Sequence, residues 1–358
     1  VGVMISASHN SYEDNGIKLF DPNGEKLSDE NELKIEALMD KNYPSNLVDS
    51  AKLGRAKRIE DAAGRYLEFV KSTFPDKFSL KNLKIVIDCA NGAAYQVAPR
   101  ALWELGADVI SIGCNPDGTN INHKCGSTHP NLMAKMVKKH KADIGIALDG
   151  DADRCIICDE KGNFIHGDKI IGLITKRYLD QGILKGNSIV GTKMTNKGLE
   201  NYINSLDLDL IRTNVGDRYV VEEMRKNGCN IGGEQSGHII MGEYGSTGDG
   251  LVASLQIIAS MVEKNMKASK LMNIFSLMPQ TIESISYNNK DYKYKNGDRF
   301  IKDKIEKYEK KLGDESRIIV RASGTENKLR IMGECRNKTL LNSTLKKLKI
   351  EIINYINE

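Results

Sequence analysis

The feature that most constrains the fold is an alternation of strand-like and helix-like segments in the middle of the chain. An apolar run at 83–87 is followed by apolar residues at helical spacing over 94–105 and by a second strand-like run at 109–112. A loop rich in Gly, Asn and Pro, a further helical segment and a third apolar run at 144–148 come next. Because alternating strands and helices form mainly parallel sheets, this region is predicted to be a doubly wound α/β domain.

Similar patterns on either side of this region predict a multidomain chain. The length of 358 residues is enough for two to four domains. Strand and helix signals alternate through 57–162 and 163–278, which we interpret as two α/β domains. A small α+β domain is expected at 279–358, because strand-like runs there precede a long amphipathic helix. A separate N-terminal part at 1–56 shows two short strand-like segments and a helix.

The composition argues against several functional classes. The chain carries 52 basic and 48 acidic residues, a net charge of +4 without clustering, which gives no indication of nucleic-acid binding. No apolar run approaches the roughly 18 residues that a membrane span needs. An odd number of cysteines, seven, favours free thiols in a reducing compartment, and we expect a cytoplasmic protein. Cys155 and Cys158 have the spacing of a redox pair, but their apolar surroundings favour buried core thiols.

Three aspartates, Asp149, Asp151 and Asp153, follow the third apolar run, and an arginine comes directly after them. Like charges this close raise one another's pKa values, and a hard divalent cation would relieve the repulsion. Arg154 beside such a site indicates a phosphate ligand, because a guanidinium group and a metal ion bind the same oxygens. The alternative is a calcium loop that ends at Glu160, although Arg154 stands where such a loop needs glycine. The pattern favours phosphoryl transfer.

Three further polar clusters lie at strand ends or between strands, where open α/β sheets bind their ligands. The cluster at 6–10, with Lys18, combines a hydroxyl that is a candidate nucleophile or phosphate carrier with a histidine and a cation. Paired glycines at 232–238 allow close approach of a ligand, and Glu, Ser and His there suit sugar hydroxyls. Hydroxyl and guanidinium groups at 321–330 have the composition of a phosphate cradle. Each cluster alone is equally compatible with an ordinary polar turn.

Together and in this order, the four clusters resemble the active-site loops of the α-D-phosphohexomutase superfamily. Further segments at 120–122, 125–130, 215–219 and 247–250, together with Gln235, are similar to the branch of that superfamily that acts on hexosamine phosphates. The resemblance implies three doubly wound α/β domains, the first N-terminally incomplete, and a small C-terminal α+β domain around a central cleft. It also implies an isomerase that interconverts glucosamine 6-phosphate and glucosamine 1-phosphate, in the synthesis of UDP-N-acetylglucosamine and cell-wall precursors.

The matching motifs imply a role for individual residues. Ser8 would carry the phosphoryl group, His9 and Lys18 would transfer protons or balance charge, and Arg154 would hold the transferring group. The implied ligands of one Mg²⁺ per active site are a phosphate oxygen on Ser8, Asp149, Asp151 and Asp153. The implied substrate-binding residues are Asp217, Arg218, Glu234, Ser236, His238, Arg321, Ser323, Gly324, Thr325 and Arg330. The resemblance further implies that a sugar bisphosphate or autophosphorylation phosphorylates Ser8. The expected binding partner is a small hexosamine phosphate substrate, and the chain is expected to form a homodimer.

Members of the superfamily begin with a further stretch of domain I, so we expect that the start of this domain is missing here. This expectation puts the activity of the isolated chain in question. The alternatives are phosphomannomutase or phosphoglucomutase activity, and a non-catalytic module that binds metal and sugar phosphate. A phosphatase that uses Asp149 as its nucleophile is a further alternative, because an aspartate after a strand is able to accept a phosphoryl group.

Overall fold

The computed structural model describes residues 1–39, 48–286, 298–322 and 328–357. Its internal contacts divide the chain into two units, one of 1–192 with 213–274 and one of 193–212 with 275–358. The boundaries of the four predicted domains stay a prediction. Within the described ranges, no helix combines the length and apolar character needed to cross a bilayer.

An antiparallel hairpin opens the first unit. Strands β1 (Gly2–Ser6) and β2 (Gly16–Phe20) pair with Ser6 opposite Gly16, and helix α1 (Asp29–Met39) follows. The two predicted strands and the helix are therefore present. The pairing brings Lys18 on β2 close to the loop that leaves β1, so that the hairpin presents two candidate catalytic residues, Ser8 and Lys18, at one end.

A five-stranded sheet forms the next layer of the first unit. Its elements in chain order are α2 (Ala62–Ser72), β3 (Lys84–Asp88), α3 (Val97–Glu104), β4 (Asp108–Ile112), α4 (Asn131–His140), β5 (Ile144–Leu148), β6 (Cys155–Asp159) and β7 (Phe164–Ile165). The strand order is β4-β3-β5-β6-β7, with β3, β4 and β5 parallel and β6 and β7 antiparallel. All five residues of β5 are buried, as its uninterrupted apolar sequence predicts, so the acidic segment after it starts at the sheet edge.

The next helices and strands along the chain lie between residues 167 and 271. In chain order they are α5 (Gly167–Asp180), β8 (Ser188–Thr192), α6 (Lys197–Asn204), β9 (Asp209–Thr213), α7 (Asp217–Asn227), β10 (Ile231–Gly233), β11 (Ile239–Met241), α8 (Gly250–Lys264) and α9 (Ala268–Leu271). In the first unit, β10 pairs in parallel with β8 and forms an antiparallel hairpin with β11. Asp249 caps α8 by accepting hydrogen bonds from the N–H groups of Leu251 and Val252.

The second unit contains α6, most of β9 and the C-terminal part of the chain. Its further elements are β12 (Gln280–Ser286), α10 (Arg299–Leu312), β13 (Arg317–Ala322), β14 (Lys328–Glu334) and α11 (Lys338–Asn357). These strands form an antiparallel sheet in the order β12-β14-β13. The apolar face predicted for the last helix is buried against this sheet at Leu341, Leu345, Leu348 and Ile352. The C-terminal part is thus the α+β arrangement expected from the sequence.

Candidate active site

The serine loop, residues 7–15, connects the two strands of the N-terminal hairpin. Ser8 lies in it with a φ of +50°, in the left-handed region that non-glycine residues rarely adopt. The Ser8 N–H donates to Ser6 Oγ at 2.8 Å, and Ser8 Oγ lies 3.2 Å from His9 Nδ1. Burial, followed by the charge of Arg154, lowers the pKa of His9, which favours a neutral imidazole beside the hydroxyl.

The metal loop, residues 149–154, follows the buried strand β5. One carboxylate oxygen each from Asp149, Asp151 and Asp153 lies within 4.8 Å of the others. One oxygen of each carboxylate is also buried and accepts no hydrogen bond from the described part of the chain. Burial, followed by the charges of Asp153 and Asp151, raises the pKa of Asp149 to about 8. The loop therefore concentrates carboxyl oxygens without hydrogen-bond partners at one point.

Lys18 and Ser6 bring the hairpin to this acidic group. Lys18 Nζ lies 2.7 Å from Asp151 Oδ2 and 3.8 Å from the nearer carboxylate oxygen of Asp153, and Ser6 Oγ donates to Asp151 Oδ2 at 2.8 Å. Burial acts to raise the pKa of Asp151, but the hydrogen bonds from Lys18 and Ser6 outweigh it and lower the pKa. Burial likewise opposes the charge on Lys18, but the hydrogen bond to Asp151 and the negative charges of Asp151 and Asp153 together outweigh it, so that the pKa of Lys18 is raised.

Arg154 closes the metal loop on itself. Its backbone N–H donates to Asp149 Oδ1 at 3.1 Å, and its Nε lies 4.0 Å from Asp149 Oδ2 and 3.9 Å from Asp153 Oδ1. These distances are too long for hydrogen bonds, and the Nε has no hydrogen-bond partner among the described residues. The Nε of Arg154 therefore lies near the acidic group without a hydrogen bond and is available to an anion.

The carboxylate oxygens of the metal loop suit a hard divalent cation. Three converging carboxylates with free oxygens are the ligands that such an ion prefers, and they stand next to the serine loop. The calcium-loop alternative is wrong, because strands flank the loop on both sides and Glu160 is engaged elsewhere. The two Glu160 oxygens accept hydrogen bonds from the N–H and the hydroxyl of Ser269. The burial of Asp149, which is 0% exposed, also argues against its use as a phosphatase nucleophile.

The sugar loop, residues 234–238, connects β10 and β11 and lies against the metal loop. Arg154 and His238 form an isolated antiparallel bridge, and the Cys155 N–H donates to the Gly237 carbonyl at 3.0 Å. A Cβ on Gly237, whose φ is +90°, would lie 2.2 Å from the Cys155 carbonyl oxygen, so only glycine fits this contact. The predicted metal and sugar loops are therefore neighbours.

Within the sugar loop, the predicted side chains have different surroundings. Glu234 Oε1 accepts a hydrogen bond from the Gly216 N–H, and the buried hydroxyl of Ser236 has no partner in the described ranges. His238 is 2% exposed, and its Nε2 accepts a hydrogen bond from the Gly248 N–H. This contact is more typical of a residue that positions the loop than of one that binds sugar. The substrate-binding roles of all three residues stay predictions.

Asp217 and Arg218 at the start of α7 contact the N-terminal segment instead of the metal loop. Asp217 pairs with Lys26, and Arg218 pairs with Asp29 and, at 3.8 Å, with Glu32. Lys26 is not predicted from the sequence, because nothing local distinguishes this lysine from other surface lysines. The predicted binding roles of Asp217 and Arg218 stay predictions.

The fourth cluster belongs to the second unit. Arg321 on β13 is directly opposite Arg330 on β14 in the antiparallel pairing, so both side chains leave the same face of the sheet. Two guanidinium groups on one face of a sheet are groups that bind phosphate oxygens. Ser323, Gly324 and Thr325, also predicted to bind phosphate, lie outside the described residues.

Models of known protein families match almost the whole chain. Models of the phosphoglucomutase/phosphomannomutase family match in order: α/β/α domain I at 1–45, domain II at 64–162, domain III at 166–278 and the C-terminal domain at 279–349. The chain belongs to the phosphoglucomutase/phosphomannomutase family. The predicted superfamily membership is thus confirmed.

Relatives from several bacteria are similar over most of the chain. A protein named phosphoglucosamine mutase from Caulobacter vibrioides is 53% identical, over 97% of this chain and 77% of its own length. Proteins of the same name from Parvibaculum lavamentivorans and Bartonella henselae are 52% and 50% identical, over 96% and 99% of this chain and 76% of their own length. These names confirm the prediction of an isomerase of this family and do not favour a non-catalytic module or a phosphomannomutase.

Solved structures of the family share the fold. An Aspergillus fumigatus N-acetylphosphoglucosamine mutase in complex with GlcNAc-6P and magnesium superposes with a TM-score of 0.74 at 20% identity, over 98% of this chain and 88% of that chain. A Burkholderia thailandensis phosphoglucomutase/phosphomannomutase family protein gives a TM-score of 0.75 at 21% identity, over 97% of this chain and 76% of that chain. The multidomain α/β fold class predicted from the sequence is confirmed.

Proposed function

We propose that this family member interconverts glucosamine 6-phosphate and glucosamine 1-phosphate through a phosphoserine at Ser8. The observation that carries the proposal is the group of three aspartates, each with a buried oxygen left without a hydrogen-bond partner among the described residues, beside the serine loop. Asp151 is joined to that loop through the hydroxyl of Ser6. Relatives that are 52% and 53% identical in sequence are named phosphoglucosamine mutase, which supports an amino-sugar substrate.

Each turnover moves one phosphoryl group to the sugar and one back. The phosphoryl group on Ser8 passes to the free hydroxyl of the sugar monophosphate, the P–O bond to Ser8 breaks, and a sugar bisphosphate forms. The bisphosphate then reorients in the site, so that its other phosphoryl group faces Ser8 and is transferred to it. One sugar phosphate has then become its isomer, with no net change in phosphorylation of the protein.

Residues of the metal loop and the hairpin would assist both transfers. Arg154 has unused donors near the aspartates, which suits it to hold the transferring phosphoryl group. Lys18 is charged and stands at the same carboxylates, so it is placed to balance charge and to exchange a proton with the sugar hydroxyl. His9 contacts the Ser8 hydroxyl itself, and its lowered pKa suits it to accept a proton there.

Mg²⁺ is the cation that we propose for the metal loop. Asp149, Asp151 and Asp153, with a phosphate oxygen on Ser8, would hold it. When bound, Mg²⁺ neutralises negative charge on the transferring phosphoryl group. A phosphoserine carries roughly −1.5 to −2 charges at neutral pH, so without a cation the three aspartates would repel it. Metal binding and phosphorylation of Ser8 are therefore expected to support each other.

The second unit would bind the phosphate that is not reacting. Two guanidinium groups, those of Arg321 and Arg330, lie on one face of the sheet. In the sequence, the segment 323–325 between their strands adds the hydroxyl groups of a serine and a threonine. Activation by a sugar bisphosphate or by autophosphorylation, and a homodimer, stay predictions from the resemblance. The cytoplasm is the compartment we propose, because all seven cysteines, which lie in the described ranges, are free.

The activity is tested by incubating the full-length protein with Mg²⁺, a trace of glucose 1,6-bisphosphate and glucosamine 6-phosphate. We expect glucosamine 1-phosphate to form, and the Ser8→Ala variant to form none. Mannose 6-phosphate and glucose 6-phosphate, tested in parallel, are expected to react more slowly. Faster turnover of either would move the assignment to another activity of the same family. Equal activity of the Ser8→Ala variant would exclude the phosphoserine.

A further inference from the structure

Asn122 contacts the serine loop from the segment after β4, far away in the sequence. Its Nδ2 donates two hydrogen bonds, one to the Ser8 carbonyl at 2.8 Å and one to the Asn10 carbonyl at 2.7 Å. The residue is 5% exposed. A single buried amide group thus holds two carbonyl groups of the serine loop.

The two carbonyls belong to a strained turn. The Asn10 N–H donates to the Ala7 carbonyl at 2.9 Å, which closes a turn around Ser8, and Ser8 itself has a φ of +50°. A serine in the left-handed region is less stable than in its ordinary conformations, so the turn needs support from outside. Asn122 supplies it at two points of the turn, the Ser8 carbonyl and the Asn10 carbonyl.

Asn122 is itself fixed next to the metal loop. Its backbone N–H donates to the Ala90 carbonyl at 2.8 Å, and the Gly150 N–H donates to the same Ser8 carbonyl at 3.2 Å. A Cβ on Gly150 would lie 2.5 Å from the Ser8 carbonyl oxygen and 2.9 Å from Asn122 Nδ2. The serine loop, the metal loop and Asn122 therefore converge at one closely packed point.

We propose that Asn122 is a positioning residue for phosphoryl transfer. It fixes the backbone of Ser8 in the left-handed conformation and sets the position of the serine loop against the metal loop. The inference rests on the proposed function, because it assumes that Ser8 carries the phosphoryl group. Asn122 touches neither the hydroxyl nor the phosphate in this role, so its loss affects transfer to and from Ser8 and not the binding of the sugar.

The test compares Asn122→Asp and Asn122→Ala with the wild-type protein. The aspartate has the size of the asparagine but places oxygens where the two carbonyls need a donor. If Asn122 only filled space, Asn122→Asp would behave as the wild type. We expect instead that kcat falls about 100-fold in both variants while KM for glucosamine 6-phosphate is unchanged, since a small misplacement of reacting groups costs this much.

Asn120 provides a matched control in the same segment. Among the described residues, its side chain donates a hydrogen bond to the Asn115 carbonyl and accepts one from the Asp117 N–H, both within this segment. Asn120→Ala is therefore expected to keep kcat within about twofold of the wild-type value, because it leaves the Ser8 turn in place. Should Asn122→Asp fail to fold, Asn122→Ala carries the comparison, and a wild-type kcat in that variant would overturn the proposal.

A second readout separates this inference from the proposed function. The rate at which glucose 1,6-bisphosphate labels Ser8 is followed by peptide mapping in wild-type and variant proteins at saturating Mg²⁺. Slow labelling of the Asn122 variants, with fast labelling of the wild type, supports the positioning role. Equal labelling rates overturn it and leave the phosphoserine intact. Absence of Ser8 labelling in the wild type would overturn the proposed function itself.

Discussion

Lys18 Nζ lies 2.7 Å from Asp151 Oδ2, so a side-chain cation already stands at the edge of the acidic metal loop. The contact joins residues 133 positions apart and draws the N-terminal hairpin onto the five-stranded sheet. Part of the negative charge of the three aspartates is thereby compensated within the protein. The oxygens that remain unsatisfied are those that a metal ion would need.

Replacing Lys18 by methionine should separate metal binding from turnover. The Lys18→Met variant loses a cation that competes with a metal for Asp151, so its affinity for Mg²⁺ should be equal to or higher than that of the wild type. Its kcat should fall by about 10²- to 10⁴-fold, because a proton-transfer group is lost. Calorimetric titration with Mg²⁺ and steady-state kinetics measure the two effects. Weaker Mg²⁺ binding in the variant would contradict this account of the pair.

The affinity for Mg²⁺ should depend on pH through Asp149. Because its pKa is raised to about 8, this carboxyl is protonated at neutral pH in the metal-free protein and must release its proton to bind a cation. Affinity should therefore fall about tenfold per pH unit as the pH is lowered below this value, and level off above it. Titrations between pH 6 and 9 in two buffers of different ionisation enthalpy detect the released proton. An affinity that is independent of pH over this range would be inconsistent with a protonated Asp149.

Tyr66 on α2 should stabilise the segment behind the metal loop. Its hydroxyl donates to Asp249, the capping residue of α8, at 2.9 Å, and the Gly250 N–H donates to the Ala152 carbonyl of the metal loop. Tyr66→Phe should lower the free energy of unfolding by about 1–3 kcal/mol, because a half-buried carboxylate loses a hydrogen bond. Tyr12→Phe, at a tyrosine that is 41% exposed, serves as the control and should change it little. Denaturant unfolding that shows no difference between the two variants would rule out this contribution.

The pair of arginines on the C-terminal sheet should act mainly on substrate binding. Arg330→Met removes one guanidinium group from the proposed phosphate site, and we expect KM for glucosamine 6-phosphate to rise about tenfold with a smaller change in kcat. Lys347→Met, on the exposed side of α11, removes the same charge elsewhere and should leave both constants unchanged. A fall in kcat without a change in KM would place Arg330 in the chemical step instead.

The fold was predictable where the signal is local. The uninterrupted apolar run of β5 predicts a buried strand, and the apolar periodicity of α11 predicts a helix with one buried face; both are present in the structure. Strand β10 was missed and interpreted as part of a glycine-rich loop. It has three residues, two of them glycines, and is a strand because β8 and β11 pair with it.

Part of the candidate site was also visible in the sequence, because Asp149, Asp151 and Asp153 occupy one short loop. The groups that hold this loop in place were not visible. Asn122 donates to Ser8 across 114 positions and Lys26 pairs with Asp217 across 191, and neither contact has a local signature. Such partners become evident only when the fold brings distant segments together.

The central claim is that Ser8 carries the phosphoryl group, and peptide mapping tests it most directly. The full-length protein is incubated with Mg²⁺ and glucosamine 1,6-bisphosphate, digested, and analysed before and after glucosamine 6-phosphate is added. We predict a phosphoryl mass increment on the peptide that contains Ser8, and its loss when the sugar monophosphate is added. An unlabelled Ser8, or a label that appears on Asp149 instead, would contradict the account.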